Sequence, residues 1–333
     1  MTLSVSSLGE RALINRILAR LASRQTAPSW VIVGPGDDAA VIAPVRGALD
    51  VLTTDALVDG VHFDRRFVPP DAIGHRALAV NLSDLAAMGA QPRAALLSLA
   101  MPPSMEVADV DRMLDGLLAL ADAHRVALIG GNVTRTPGPL TIDVTAIGSV
   151  GPRRALTRAG ARAGDEVYVT GSLGGAAIGL KALQRDADSL GIGRYLRPQP
   201  RVRAGLILSR TRAASSCMDL SDGLADGLRQ IAEASAVGIT VDAAAIPLGD
   251  GVKEWHEHEG GDPVETALSG GDDYELLFTV RPAHRGRFRG ARRQLSDLPV
   301  TKIGTVTKDR ALLVRDDAGV RPLPAGYEHF RCD

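Results

Sequence analysis

Both halves of the chain mix short β-like runs with helical segments of similar length, and this mixture restricts the fold more than any other feature. Apolar residues recur at helical spacing in residues 8–23, whereas LTIDVTAIGSV at 140–150 alternates apolar and polar positions. The first pattern is typical of an amphipathic helix and the second of a half-buried strand. Chains that mix the two in this way build layered α/β or α+β domains.

The same criteria predict further elements in both halves. In the first half we predict helices at 71–88 and 106–123, and strands at 30–33, 48–54, 93–101 and 125–129. Asp71 is expected to cap the helix that Gly89 ends. In the second half we predict helices at about 174–186 and up to about 235, and strands at 166–170, 216–220, 238–242, 275–280, 300–306 and 311–314.

A break in the pattern divides the chain near its middle. The segment GPRRALTRAGARAG at 151–164 is rich in Gly and Arg and shows no period. A chain of 333 residues is also longer than most single cores. We therefore predict two mixed α/β domains, residues 1–150 and 151–333.

Composition excludes several classes of protein. The net charge of −1 does not indicate the excess of positive charge that binding to nucleic acid or anionic lipid requires. Two cysteines, Cys217 and Cys332, are too few for a disulfide framework or a Cys-based zinc site. The sequence shows neither a signal peptide at its start nor an apolar stretch long enough to span a bilayer. We expect a cytoplasmic protein that binds neither nucleic acid nor membranes.

Aspartates among small residues recur at expected element ends. They lie in the segments 36–40, 53–55, 81–84, 219–223 and 270–273. Each one alone could be a helix cap or a turn. As a set they suggest convergence, since Asp55 and Asp219 each fall where a predicted strand ends, which is where open α/β folds bind ligands.

Converging carboxylates require cations. Two such charges ~4 Å apart repel by about 4 kcal/mol at an effective dielectric of ~20. Carboxylates with Thr or Ser hydroxyls nearby suit magnesium, which usually accompanies substrate phosphates. This chemistry favours a magnesium-dependent phosphotransferase.

Two Gly-rich segments fit the same chemistry less specifically. Gly130-Gly131-Asn132 follows a predicted strand, and Gly171–Gly175 links a strand to a helix. Their backbone amides could bind phosphate oxygens, or the segments could be tight turns. The pattern G-x-x-x-x-G-K-[ST] is absent from the sequence, which excludes a P-loop kinase, and H-R-D, D-F-G and G-x-S-x-G are absent too.

Taken in order, the motifs resemble those of the thiamine-monophosphate kinase family, within the aminoimidazole ribonucleotide synthetase-like superfamily. They run from SLGERALI at 7–14 through GDDAAV, TTDALVDGVHF, VNLSDLAAMGAQP, GGNVTR, MDLSDGL and GGDDYELLF to GYEHF at 326–330. The resemblance implies an N-terminal domain that binds metal and ATP and whose sheet forms a barrel across a homodimer. It implies a C-terminal domain that completes the nucleotide and substrate site. The implied reaction is the ATP-dependent, magnesium (Mg2+)-assisted phosphorylation of thiamine monophosphate to thiamine diphosphate.

The resemblance also implies roles for individual residues. The implied magnesium ligands are Asp38, Thr53, Thr54, Asp55, Asp84, Asp219 and Asp222. The implied ATP contacts are Gly131, Asn132, Arg158 and Ser221, and the implied thiamine monophosphate contacts are His62, Asp272 and Tyr327. No side-chain nucleophile or general base is expected, because the acceptor is a phosphate oxygen.

Some of these assignments have alternatives. Asn132 stands where many members carry Asp, and Asp272 stands where Glu is usual. His62 could be an ordinary loop histidine, Tyr327 could pack on the domain, and Arg158 could be a solvated surface residue.

Other functions remain to be weighed against this one. The hydrogenase-maturation relatives end in a reactive Cys, whereas Cys332 is penultimate, and selenophosphate synthetases use an early Cys, whereas none precedes Cys217. Aminoimidazole ribonucleotide synthetase shares the expected fold, but GVHF and GYEHF favour the thiamine enzymes. A non-catalytic nucleotide- or metal-binding regulator is the alternative from another class, and an ATP-dependent assay would separate the two.

Overall fold

The computed structural model describes residues 3–24 and 26–324, in which both halves mix helices and strands as the sequence predicts. The sequence did not predict the helices at Ile192–Leu196, Val202–Thr211, Val252–Glu259, Pro263–Ser269 and Arg285–Gln294. The described residues form two units. The first comprises the residues up to Leu85 together with Gln91–Pro152, and the second comprises Ala86–Ala90 together with the residues from Arg153 onward. Each unit combines its own sheet with its own helices.

The first unit contains a four-stranded sheet and a separate two-stranded hairpin. Its helices are α1 (Val5–Leu8), α2 (Glu10–Arg24), most of α3 (Pro70–Ala87) and α4 (Val107–His124). Its strands are β1 (Val31–Val33), β2 (Val41–Ile42), β3 (Leu49–Val58), β4 (Gln91–Met101), β5 (Ala127–Arg135) and β6 (Thr141–Val150). The sheet order is β3-β6-β4-β5, with only β4 and β5 parallel, and β1 pairs with β2.

Helices α3 and α4 touch backbone to backbone at two glycines. A Cβ on Gly74 would lie 1.8 Å from the carbonyl oxygen of Met113, and one on Gly116 would lie 1.9 Å from that of Asp71. No side chain fits either position, so the small residues of these helices allow their close approach. Strand β6 alternates buried and half-buried residues along its length, as its sequence pattern predicts.

The outer face of this sheet is defined here as the one that carries Leu52, Leu96 and Ile147. There Trp30 and Ile42 pack with Leu96 and Ile147 around a small buried cluster. Leu52, on β3, remains 65% exposed. The outer face therefore presents apolar surface beside the hairpin.

The second unit contains a seven-stranded sheet in the order β13-β12-β9-β11-β7-β10-β8. Its strands are β7 (Glu166–Thr170), β8 (Ser216–Asp219), β9 (Gly238–Asp242), β10 (Leu276–Val280), β11 (Val300–Thr307), β12 (Leu312–Asp316) and β13 (Gly319–Pro322). Its helices are α5 (Gly175–Gln184), α6 (Ile192–Leu196), α7 (Val202–Thr211), α8 (Leu224–Ser235), α9 (Val252–Glu259), α10 (Pro263–Ser269) and α11 (Arg285–Gln294). Neighbouring strands are antiparallel except β12 and β9.

Helix α8 packs its apolar stripe onto this sheet. Leu228 and Ile231 lie in one buried cluster with Val167 and Leu277 of the central strands. Strand β8 ends at Asp219, as predicted, and the chain then turns towards α8. The structure shows that β8 is an edge strand of the sheet. The sheet thus holds the end of β8 next to the start of β10, where Asp219 pairs with Leu276.

Four local predictions were wrong. Strand β3 continues to Val58, because β6 pairs with it over its whole length, so Asp55 does not end a strand. Strand β5 continues through Gly130-Gly131-Asn132 beside β4. Asp71 lies inside the first turn of α3, which begins at Pro70. The Asp84 segment lies within α3 and not at its end.

Candidate active site

Strand β3 and helix α3 bring two of the predicted metal ligands together. Side chains alternate between the faces of a strand, so Thr53 and Asp55 share one face of β3. The hydroxyl of Thr53 donates a hydrogen bond to Oδ2 of Asp84 at 2.5 Å. Thr53, Asp55 and Asp84 are all half-buried. These three side chains therefore offer hydroxyl and carboxylate oxygens as possible metal ligands, and none of the three offers a nitrogen or sulfur atom.

Thr54 projects to the other face of β3. Its hydroxyl lies 3.1 Å from Oδ1 of Asp143 and 3.0 Å from the hydroxyl of Thr145. The strand register places Asp143 opposite Ser98, and Ser98 opposite Asn132. Thr54 and Asn132 thus lie on one polar region of the outer face, with Asp143 and Ser98 between them. The sequence did not single out Asp143, because a polar residue on an alternating strand ordinarily faces solvent.

The glycine next to Asn132 has a packing reason. A Cβ on Gly131 would lie 1.9 Å from the carbonyl oxygen of Leu97 on the neighbouring strand. Only glycine fits at this point of the sheet. Asn132 itself is exposed at the strand surface.

Asp38 and His62 lie in loops of the first unit. Asp38 is exposed between β1 and β2, and its backbone N–H donates to Oδ1 of Asp37 at 2.9 Å. His62 accepts a hydrogen bond at Nδ1 from the backbone N–H of Val58, at 3.1 Å. A neutral imidazole that accepts at Nδ1 carries its proton on Nε2. His62 is therefore oriented by the end of β3, in agreement with the ordinary loop interpretation.

In the second unit, backbone hydrogen bonds join the two acidic segments. The N–H of Asp272 donates to the carbonyl of Ser221 at 2.7 Å, and that of Tyr274 donates to the carbonyl of Leu220 at 2.9 Å. Leu220 in turn donates to the carbonyl of Glu275 at 2.9 Å. The 219–222 loop and the 270–275 segment therefore run side by side, beyond the end of the β8–β10 pairing.

Glycines allow this close approach. A Cβ on Gly271 would lie 2.5 Å from the carbonyl oxygen of Ser221. Gly223 has φ +94°, and a Cβ there would lie 2.9 Å from the carbonyl oxygen of Leu268. The segments thus bring together Asp219, which is 6% exposed, and half-buried Asp222, whose Oδ2 accepts from the Ser221 hydroxyl at 2.5 Å.

The Gly171–Gly175 turn is occupied by a carboxylate of the chain itself. Oδ2 of Asp273 accepts from the N–H of Gly174 at 2.7 Å, and Oδ1 accepts from the N–H of Ala176 at 3.3 Å. Burial raises the pKa of Asp273 to about 7. Two amides at the start of α5 are thus already bonded, which favours the turn interpretation of this segment over phosphate binding.

The last residue of the 270–275 segment, Glu275, belongs to a buried ion pair. Glu275 is fully buried, and Oε2 accepts from Nε of Arg201 at 2.6 Å and from the hydroxyl of Thr170 at 2.7 Å. Nη2 of Arg201 also contacts Oε1. Arg194 approaches the same Oε1 to 3.7 Å and donates to the hydroxyl of Ser172 at 3.1 Å.

Arg158 is exposed in a loop tied to β8. The N–H of Cys217 donates to the carbonyl of Thr157 at 2.8 Å. The hydroxyl of Ser235 accepts from the N–H groups of Gly160 and Ala161, both at 3.1 Å. The backbone around Arg158 is therefore held beside the strand that ends at Asp219.

The part of the chain that the structure describes holds neither a ready-made cluster of metal ligands nor a membrane span. Across residues 3–24 and 26–324, no group of three or more His, Cys, Asp or Glu side chains lies close enough to hold a metal ion by itself. Within the same ranges no helix is both long enough and apolar enough to cross a bilayer. Tyr327 and Cys332 lie outside the described residues.

Comparisons with known proteins extend over both units. Residues 36–150 match the family "AIR synthase related protein, N-terminal domain", and residues 162–317 match the corresponding C-terminal domain. The chain is 41% identical to thiamine-monophosphate kinase of Escherichia coli (strain K12), over 97% of this chain and 98% of that protein.

Solved structures agree with the sequence relatives. The crystal structure of thiamine-monophosphate kinase from Stenotrophomonas maltophilia K279a is 40% identical with a TM-score of 0.80, over 94% of this chain and 98% of that one. AaThiL complexed with AMPPCP and TMP is 33% identical with a TM-score of 0.76, over 99% and 100% of the two chains. The similarity therefore covers the whole fold and the elements that carry the acidic segments.

Proposed function

Because the chain belongs to the thiamine-monophosphate kinase family, we propose that it transfers the γ-phosphoryl group of ATP to thiamine monophosphate, forming thiamine diphosphate. The observation that carries this proposal is the similarity to these kinases, at 41% identity over 97% of the chain. A relative bound to AMPPCP and TMP, similar over 99% of this chain, supports the same pair of substrates.

The acceptor atom in this reaction is a phosphate oxygen, which is already anionic at neutral pH. The protein then needs no side chain to remove a proton and none to form a covalent intermediate. Its task is to hold two polyanions in line and to balance their charge. The proposed mechanism is therefore direct transfer between the two bound phosphates.

We propose that magnesium assists the transfer, held in the first unit by Asp38, Thr53, Thr54, Asp55 and Asp84 and in the second by Asp219 and Asp222. Their oxygen-only donor set fits Mg2+. Magnesium in nucleotide enzymes is usually held by one or two carboxylates together with substrate phosphates, so the lack of a three-acid cluster in the described residues is compatible with this role. Bound magnesium would neutralise charge on the phosphate oxygens.

The remaining predicted residues divide between the two substrates. We assign Gly131, Asn132, Arg158 and Ser221 to ATP. The backbone bonds that hold Arg158 beside β8 support its assignment. We assign His62, Asp272 and Tyr327 to thiamine monophosphate. The imidazole of His62 and the carboxylate of Asp272 are hydrogen-bonding groups that suit this polar substrate.

We further propose a cytoplasmic homodimer in which the outer faces of two first-unit sheets form a barrel. Leu52 is 65% exposed on this face, next to partly buried Ile147 and Leu96. A second copy of the sheet would cover this apolar surface, as sheet faces require. In analytical ultracentrifugation, we expect the wild type to sediment as a dimer and the Leu52→Asp variant to sediment as a monomer.

An ATP-dependent assay tests the reaction itself. The purified protein is incubated with ATP, thiamine monophosphate and magnesium, and thiamine diphosphate is measured by chromatography. Product that depends on all three components is expected. If none forms, the enzyme interpretation is wrong and the regulator interpretation remains.

Two substitutions with matched controls test the metal residues. Asp55→Asn and Asp219→Asn are expected to lower turnover by orders of magnitude at saturating magnesium, while circular dichroism is unchanged. The controls are Asp50→Asn, on the same strand as Asp55, and Asp242→Asn, which ends β9 as Asp219 ends β8. Near-normal turnover in either test variant contradicts the metal assignment.

A further inference from the structure

We infer that Tyr274 is a positioning residue that holds the carboxylate of Asp272 in place for thiamine monophosphate. The hydroxyl of Tyr274 donates a hydrogen bond to Oδ1 of Asp272 at 3.0 Å. The inference rests on the proposed function, which assigns Asp272 to that substrate. Tyr274 itself has no assigned role in the motif GGDDYELLF.

Burial fixes the position of the hydroxyl. Tyr274 is 8% exposed, whereas Asp272 is half-buried at the surface of the 270–275 segment. The aromatic ring is therefore held by packing, and its hydroxyl is a rigid donor aimed at a more accessible carboxylate. This hydrogen bond holds Oδ1 of Asp272 and so limits the rotation of the whole carboxylate.

The backbone on both sides of this bond is strained. Asp272 has φ +68° and Tyr274 has φ +49°, both in the left-handed region that residues with a side chain rarely adopt. Bonds from their N–H groups to the carbonyls of Ser221 and Leu220 hold this conformation. Strained residues of this kind concentrate at binding sites, where the surrounding structure imposes the geometry.

The length of the side chain explains why Asp272 needs a fixed partner. An aspartate has a short reach, so even a small rotation of its carboxylate moves the acceptor away from a ligand. A hydrogen bond to a charged group is stronger than one between neutral groups. Tyr274 thus orders Asp272 before the substrate binds, which lowers the entropic cost of binding.

Steady-state kinetics of three variants test the inference. They are Tyr274→Phe, Asp272→Ala and the double variant, each assayed with thiamine monophosphate varied at saturating ATP, and then with ATP varied. Tyr274→Phe removes the hydroxyl and keeps the ring. It is expected to raise KM for thiamine monophosphate about three- to tenfold, the range for one hydrogen bond, with KM for ATP unchanged. In the Asp272→Ala background the same change is expected to have no further effect.

Tyr168→Phe is the matched control. Tyr168 is 7% exposed, and its hydroxyl donates to Oε2 of Glu166 at 3.1 Å in the same unit. Losing this bond is expected to lower thermal stability slightly and to leave both KM values unchanged. A merely structural role of Tyr274 would give the same result as this control.

The outcomes are distinguishable. An unchanged KM in Tyr274→Phe, with Asp272→Ala impaired, overturns the inference and leaves the proposed function intact. Additive effects in the double variant also overturn it, because Tyr274 would then act independently of Asp272. A normal KM in Asp272→Ala removes the substrate role of Asp272 and the inference with it. Absence of activity in the wild type refutes the proposed function itself.

Discussion

Replacing Glu275 by glutamine should destabilise the second unit strongly. The substitution keeps the size of the side chain and removes its charge. Glu275 is fully buried, and the side chain of its partner Arg201 is 14% exposed, so the change leaves an almost buried cation without a counter-ion. Breaking a buried pair from one side costs about 3–5 kcal/mol. Because glutamine can still accept one of the hydrogen bonds, we expect a loss near the lower end, about 3 kcal/mol.

The second cation beside Glu275 does not compensate for the lost charge. Arg194 is also a cation, and it lies 3.7 Å from Glu275 with 38% of its side chain exposed. Its proximity adds repulsion to Arg201 once the carboxylate is gone. Solvent screens this contribution, because the guanidinium is partly exposed.

Urea unfolding of the second unit measures the effect. The chain has two tryptophans, Trp30 in the first unit and Trp255 in α9, so a Trp30→Phe background leaves fluorescence that reports on the second unit. In that background Glu275→Gln, Arg201→Met and the double variant form a thermodynamic cycle. Each single change is expected to cost more than the pair, since the double variant leaves no buried charge unpaired, and Arg194 is partly exposed.

An exposed ion pair provides the control for this cycle. Glu265 contacts Arg321 at 2.5 Å, and both side chains are more than one third exposed. Glu265→Gln should therefore change the free energy of unfolding by less than about 1 kcal/mol. If Glu275→Gln costs no more than this control, the burial argument is refuted.

Three further predictions concern single residues. Although burial alone raises the pKa of Glu166, hydrogen bonds from two cationic side chains and a tyrosine lower it to about 2. The ionised Glu166 therefore stabilises the fold fully above about pH 4.5. In urea unfolding at several pH values, the free energy of unfolding of the wild type should fall by about 1–2 kcal/mol relative to that of Glu166→Gln as the pH falls towards 2. Gly131→Ala should lower the free energy of unfolding by about 1–3 kcal/mol, seen as a lower melting temperature, because its Cβ would overlap the carbonyl oxygen of Leu97. Gly138→Ala should leave the melting temperature unchanged, because the nearest atom lies 3.5 Å from its Cβ. Burial raises the pKa of the Cys217 thiol, so in a Cys332→Ser background Ellman's reagent at pH 8 should react only after unfolding.

The sequence predicted the mixture of strands and helices in both halves better than the ends of the individual elements. Asp219 was placed correctly at the end of β8, because the β-like run of apolar residues ends there. The end of β3 was misplaced, since the polar run Thr53-Thr54-Asp55 resembles a loop in isolation. Pairing with β6 extends the strand to Val58, and that partner is about ninety residues away in the chain.

Long-range pairing also decides what the Gly-rich segments do. The sequence left the Gly171–Gly175 turn open between phosphate binding and a structural role. The deciding contact is the carboxylate of Asp273, 99 residues beyond Gly174. The same applies to Gly131, whose requirement for glycine comes from Leu97 on the adjacent strand. Local patterns cannot show such partners, because they are defined only by the folded sheet.

The strand geometry limits how the proposed ligands can share magnesium ions. Thr53 and Thr54 are adjacent on β3, so their side chains leave opposite faces of the sheet. The hydroxyl of Thr53 bonds to Asp84, and the hydroxyl of Thr54 lies beside Asp143. One ion cannot bind both hydroxyls across the thickness of the strand. If both residues are ligands, they serve different ions or one of them binds through its backbone carbonyl. The proposed site therefore requires either more than one magnesium ion or a ligand set in which Thr54 acts through the main chain.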